Sequence, residues 1–376
     1  MAKIAYIDHS YHKKTVSTKF IPDLLKSRGH IVDYFWDNSW QGGKSVKISE
    51  VKGYDAIIMF QSFCEIEKDY FFKNHHHNIT YIPMLDQFGV WRGPIFNTID
   101  FWKPFQGCKV LNFSSQIHGM TIGMGIRSKL FRFYRKPASD IKEKKGLHGF
   151  LWVRLDDEVS WELVKKLIGN SHFDSFHFHV AKDPASTRVN LPCKEDIQKY
   201  NITISSWFKK KEDFEKIFEK ANVFFAPRME EGIGQSFLEA FSHGQCIVAP
   251  NNGTMNEYIQ DGVNGLLYDW EKPEKLNFND VEKIRRRAYE SCVIGYEKWK
   301  ESESALEKYL LMPNNIAYEN RYDYFSDYSN FSECNLKEKL IKRIKNKLKR
   351  IYLLRVLYNK LKKHWYARGM FLRLGK

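Results

Sequence analysis

Short apolar runs recur along this chain, each followed by a polar stretch with helical spacing, and the series starts twice. KIAYID at Lys3–Asp8 is the first run. About Thr18–Ser27, the apolar residues Phe20, Ile21, Leu24 and Leu25 share one helical face, and Arg28-Gly29-His30 turns the chain into a run at Ile31–Phe35. That is a βαβ opening. Runs at Ala56–Phe60, Ile79–Pro83 and Lys109–Phe113 extend it into an open, mostly parallel sheet, because strands buried on both faces show no polar alternation. Lys136 to Gly149, charged and punctuated by Pro137 and Gly146, breaks the series. It restarts with predicted strands at Phe150–Arg154, Phe173–Val180, Asn201–Ser205, Asn222–Pro227 and Ile247–Pro250. Helices fit at Trp161–Ile168 and Lys211–Lys220, and a long charged helical region covers about 277–309. Two α/β halves of this kind leave a cleft between them, where such folds bind ligands.

The 376 residues are 43% hydrophobic and rich in Phe, Tyr and Trp, which excludes a wholly disordered or fibrous protein. Six cysteines stand far apart without a CxxC, so buried free thiols in a reducing compartment are expected rather than a disulfide framework or structural zinc. The N-terminal apolar run is too short for a signal peptide, and no stretch reaches 18 consecutive apolar residues. A bacterial cytoplasm is the expected location.

Residues 222–269 carry the chemistry. After the strand ending at Pro227, a loop presents Glu230 and Glu231, and Gly232-Ile233-Gly234 leads into a helix at Gln235–Phe241. Glycines there admit a ligand close to the backbone, and the first-turn N–H groups near Gly234 to Phe237 face an anion. Glu239 follows on the helix, so the loop and helix carboxylates suit two hydroxyl-bearing parts of one ligand. Further on, Asn252-Gly253-Thr254 follows a strand, Glu257 opens a predicted second helix, and Asp261-Gly262 and Asn264-Gly265 form turns before Leu266–Tyr268. A dinucleotide fingerprint would need Gly where Phe237 stands.

This segment resembles the donor domain of glycosyltransferase family 4, retaining enzymes of the two-domain GT-B architecture. The resemblance rests on Glu231-Gly232-Ile233-Gly234, Glu239-Ala240, Gly244, Gly253 to Glu257, and Asp261 to Gly265. It implies an α/β GT-B fold, with two Rossmann-like domains facing across a cleft. By resemblance, Glu231 contacts the donor sugar and Glu239 the ribose. Backbone at Gly232, Ile233, Gly234, Gln235 and Ser236 approaches the sugar and diphosphate, with Thr254 near the phosphates and Glu257 in the donor set. Arg154 fits the family's diphosphate-gripping Arg; the Lys expected five residues later is Val159, which leaves Lys165 or Lys166 to enter from the helix. The first-domain histidine expected after Ile79–Pro83 is replaced by Asp86, with His118 a lesser candidate, and the Gly-rich loop after the first strand is Asp8-His9-Ser10-Tyr11-His12. No cofactor or metal is implied, only a nucleotide-diphosphate sugar as donor substrate, and His75-His76-His77 reads as an exposed loop.

The formal charge of +15 is concentrated at one end: from Asn335 to Lys376, fifteen Lys and Arg face one acid, Glu338, so this segment carries +14. Leu336, Leu340, Ile344, Leu348 and Ile351 recur at helical spacing, with Lys and Arg on the other face. This suits a helix lying in an anionic membrane surface. Pairing with a protein partner or a second copy is another reading, and nucleic acid, which attracts the same charge, is less favoured because the body is neutral. The expected organisation is an acceptor domain at 1–140, a donor domain at 141–310, a crossover at 311–334 and the amphipathic tail at 335–376. The expected function is hexosyl transfer to a lipid-linked or membrane-held glycan in cell-surface polysaccharide assembly, at the cytoplasmic face of the cell membrane. The alternatives are a non-catalytic nucleotide-sugar or glycan-binding protein, and a nucleic-acid or protein-assembly module acting through the tail.

Overall fold

The computed structural model describes residues 1–62, 64–87, 99–154, 158–181 and 190–314. The tail at 335–376 and nearly all of the 311–334 crossover lie outside them.

Two six-stranded sheets form, and every strand pairing between neighbours is parallel. The first comprises β1 (Lys3–His9), β2 (Ile31–Asp37), β3 (Ala56–Phe60), β4 (Ile79–Ile82), β5 (Lys109–Asn112) and β6 (Ser128–Leu130), in the order β2-β1-β3-β4-β5-β6. The second comprises β7 (His148–Val153), β8 (Ser175–Val180), β9 (Ile202–Ser205), β10 (Val223–Phe225), β11 (Cys246–Pro250) and β12 (Leu266–Tyr268), in the order β12-β11-β10-β7-β8-β9. The helices that matter for the site are α1 (His12–Thr15), α2 (Phe20–Ser27), α3 (Ser115–Gly123), α4 (Trp161–Ile168), α5 (Lys194–Lys199), α6 (Lys211–Phe218), α7 (Gln235–Ser242) and α8 (Val281–Leu311).

The central strands are apolar throughout because both faces are covered: every residue of β3, β4 and β11 is buried. The expected strands recur within a residue or two at each end. The edge strand β6, reading Ser-Lys-Leu, carries too little apolar signal to be seen in advance.

In each sheet the strand order reverses once, between β1 and β3 and between β7 and β10. Such reversals open a crevice at the carboxyl ends of the strands. One apolar cluster links the halves, running from Ile4, Tyr6 and Ile58 through Phe133 and Trp299 of α8 to Phe224 and Phe237. The far end of α8 returns to the first sheet. There the buried Lys109 donates to the carbonyls of Tyr309 (2.6 Å), Leu310 (3.1 Å) and Met312 (2.5 Å), a cation placed at the negative end of the helix.

Candidate functional site

The β7/β10 crevice collects most of the motif residues. Arg154 follows β7, Arg228 follows β10, and the Glu230–Gly234 loop folds the buried Glu231 back toward them. Arg154 Nη1 lies 3.9 Å from Glu231 Oε1. Burial pushes the Glu231 carboxyl up to about 7, while Arg228 and Arg154 pull it down and Asp86 and Glu158 add to the rise. Glu231 Oε1 and the buried Ser236 Oγ have no hydrogen-bond partner among the described residues. Buried polar atoms are paired as a rule, so the Glu231 oxygen in the loop and the Ser236 hydroxyl in the first turn of α7 are two polar atoms left available to a ligand.

Backbone geometry builds the rest. Gly234 precedes α7 with φ +78°, and a Cβ there would sit 1.9 Å from the Phe237 ring. Only glycine fits, and having no side chain it leaves the first-turn N–H groups of α7 uncapped, at the positive end of the helix. Gly232 permits a second close approach, since a Cβ would meet Met84 Sδ at 2.7 Å and Asp86 Oδ1 at 2.9 Å. Thr254 is buried at φ +70°, a costly conformation for a β-branched residue, and its hydroxyl donates to the carbonyls of Glu231 (2.5 Å) and Gly232 (3.3 Å). The Thr254 hydroxyl, expected near the phosphates, thus braces the Glu231 loop.

From the first half, Asp86 joins the group. It accepts from Arg228 Nη1 at 2.7 Å and from Gln61 Nε2 at 3.4 Å. Glu158 lies 3.9 Å from Arg228 Nε and accepts from the Met229 N–H at 2.9 Å. Glu239 pairs with Arg135 at 3.4 Å, and the same guanidinium donates to Gln235 Oε1 at 3.1 Å. Gln235 in turn donates to the Ser17 carbonyl at 3.0 Å, a further tie across the cleft.

Four expected residues lie elsewhere. His118, on α3, hydrogen-bonds Ser128 at 2.8 Å beside the edge strand β6 and not the Glu231 group. Lys165 is held by Asp196 of α5 at 2.8 Å and Glu162 at 2.9 Å. Lys166 is exposed on the outside of α4, because α4 leads away from the strand ends. Glu257 lies in a 3-10 turn, Met255–Glu257, rather than a second α-helix. Its carboxylate accepts from the Ser114 hydroxyl (3.1 Å), the Ser115 N–H (2.9 Å) and Arg132. Ser114 makes no side-chain cap to its own helix, so Glu257 caps α3 from the other half and is consumed there.

Sequence reasoning missed Arg228, Glu158, Gln61, Arg132 and Arg135. Arg228 and Gln61 follow strand ends, a signal that was readable; the two arginines before the break had none. His75 ends a helix and His76 is buried, with its Nε2 3.2 Å from the Tyr54 carbonyl, so the His75–His77 stretch is not simply an exposed loop. Among the described residues, Asp8, His9 and His12 bring potential metal-ligating atoms within 4.8 Å of one another.

Residues 189–287 match the family model described as glycosyl transferases group 1. HepE from Anabaena, solved with UDP and glucose, superposes over 81% of this chain and 100% of its own, with a TM-score of 0.56 and 13% identity. A glycosyltransferase from Rickettsia africae superposes over 82% of this chain and 98% of its own, with a TM-score of 0.56 and 14% identity. The fold is GT-B. In GT-B terms, the β7/β10 crevice lies in the half that contains the family match. A Klebsiella pneumoniae protein named as an uncharacterized 41.2 kDa protein in a cps region is 24% identical over 159 residues, which span 42% of this chain and 40% of that relative. No helix among the described residues is long and apolar enough to cross a membrane.

Proposed function

We propose that this chain is a retaining glycosyltransferase that moves a hexosyl group from a nucleoside-diphosphate sugar to a hydroxyl of a lipid-linked or membrane-held glycan. The observation that carries this reading is Glu231: a buried carboxyl with an orphaned oxygen, beside Arg154 and the uncapped start of α7, inside the matched segment. Residues 141–310 take the donor and 1–140 the acceptor. Glu231 holds hydroxyls of the transferred sugar and Glu239 the ribose, while Arg154 and the α7 N–H groups receive the diphosphate. Charge grows on that diphosphate as it leaves, and fixed donors in a closed cleft stabilise it. The acceptor hydroxyl attacks from the face the diphosphate departs. The UDP and glucose in the HepE structure support the donor class, and the relative's cps-region name supports cell-surface polysaccharide assembly. The basic 335–376 segment holds the enzyme against anionic lipid at the cytoplasmic face.

A panel of nucleotide sugars tests this by thermal shift and by release of nucleoside diphosphate. A donor at a hundred times its Kd adds about 2.7 kcal/mol to stability. The expected outcome is a raised melting temperature with one donor, with nucleoside diphosphate released when glycan acceptors are added. A shift without release identifies a binding protein, and no shift with any nucleotide sugar defeats the reading.

A further inference from the structure

A cavity of about 660 Å³ opens where α8 passes the edge strand β6, and it shares no residue with the Glu231 group. That volume suits a small organic ligand. Its lining combines apolar Phe131, Tyr134 and Ile294 with three cations, Lys129 of β6, Arg132, and Lys298 of α8. No acid lines it. Arg132 is engaged by Glu257, whereas neither Lys129 nor Lys298 meets a carboxylate among the described residues. Cations gathered without a lining acid attract an anion.

Tyr258 supplies a second, independent sign of a ligand. It lines the same cavity and is only 6% exposed, yet its hydroxyl has no hydrogen-bond partner among the described residues. A buried phenol is paired as a rule, so this O–H is available to an acceptor in the cavity. Phosphate oxygens accept from a phenol and from ammonium groups alike. The donors come from three separate elements, which a tetrahedral phosphate can meet and a planar carboxylate cannot. Tyr258 also connects the cavity to the start of α7. Its ring lies 5.5 Å from that of Phe237, the ring against which Gly234 is packed. Tyr134 meets the same Tyr258 ring at 5.1 Å. An occupant that fixes Tyr258 therefore steadies Phe237 and the α7 start, and it joins Lys129 of the first sheet to the second half.

We propose that this cavity binds a phosphate ester with an apolar or ring-shaped body, and that its occupation strengthens donor binding through Tyr258 and Phe237. The effect on the donor rests on the glycosyltransferase reading above; the binding site does not. Lys129, Lys298 and the Tyr258 hydroxyl hold the phosphate, and Phe131, Tyr134 and Ile294 cover the body of the ligand. Soluble phosphate esters and lipid headgroups carry the same group, and the test separates them.

Titration calorimetry of the full chain uses phenyl phosphate as the soluble probe, and dihexanoyl phosphatidic acid against dihexanoyl phosphatidylcholine as the lipid probes. K129E/K298E changes two exposed side chains and is expected to melt as wild type does, while probe affinity falls about tenfold or more. Y258F keeps the ring and is expected to lose about fivefold. R154A, altered in the donor site, is expected to bind the probe as wild type does. Preference for phenyl phosphate assigns a soluble ester and preference for phosphatidic acid a lipid, and either supports the site. With UDP-glucose and GDP-mannose as donors, a saturating probe is expected to raise donor affinity about fivefold, and the donor to raise probe affinity by the same factor. Probe binding that is unchanged in K129E/K298E, that is lost in R154A, or that is not saturable at millimolar concentration overturns the site. Equal donor affinity with the cavity filled and empty overturns the coupling. A wild-type chain that binds the probe but no nucleotide sugar fails at the glycosyltransferase reading, and the binding site stands.

Discussion

Glu231 is a carboxyl that the fold keeps from water without giving Oε1 a hydrogen bond. Its pKa is raised from 4.5 to about 7, so the folded state prefers the protonated form. Stability from this group is therefore complete below about 4.5, falls as pH rises toward 7, and stays flat above; the shift corresponds to about 3 kcal/mol. E231Q abolishes the ionisation. The variant should equal wild type near pH 4.5 and exceed it at pH 8 by up to about that amount in urea unfolding, while its transfer rate falls. Equal stability of the two proteins at pH 8 would show that Glu231 is not held against its charge. Glu239 differs, because Arg135 meets it at 3.4 Å. E239A should weaken nucleotide-sugar affinity about tenfold or more, the worth of one lost hydrogen bond to a charged group, read by titration calorimetry. Both glutamates were legible in the sequence from their spacing. Arg135, which pairs with Glu239, was not, because it reaches that helix only after the linking segment folds across.

At the scale of elements, the start of α7 depends on Gly234. G234A puts a Cβ at φ +78° and 1.9 Å from the Phe237 ring. The backbone term alone costs about 1–2 kcal/mol, and moving Phe237 adds to it. G234A should lower the urea midpoint and lose the donor-induced thermal shift. G53A, where nothing lies within 4 Å, serves as the neutral control. If G234A melted and bound donor as wild type does, the close packing of the α7 start would be without consequence. Most strands and the longer helices were readable from apolar runs and periodicity, since these report burial directly. The turn at Met255–Glu257 was misread as a helix because its capping glutamate is a real capping group, but for α3 in the other half.

For the whole molecule, α8 runs 31 residues from the second half to the first, where Lys109 receives its end and the Tyr309 hydroxyl donates to the Val110 carbonyl at 2.9 Å. These contacts tie the two halves together among the described residues. Deleting 335–376 should therefore leave donor binding in solution intact and abolish sedimentation with vesicles containing anionic lipid. Unchanged vesicle binding, or binding to nucleic acid lost in its place, would move the tail to another partner. Of the +15 of this chain, +14 lies in the segment that this experiment removes. What the sequence determined by itself was local: strands, because burial on both faces demands apolar runs, and the glycine–glutamate motif, because its spacing is set by one loop and one helix. What only the tertiary structure decided was which side chains share a cleft. Asp86 with Arg228, Glu257 on α3 and Gln235 with Ser17 are fixed by strand order and helix crossing, which bring together residues that no sequence spacing relates.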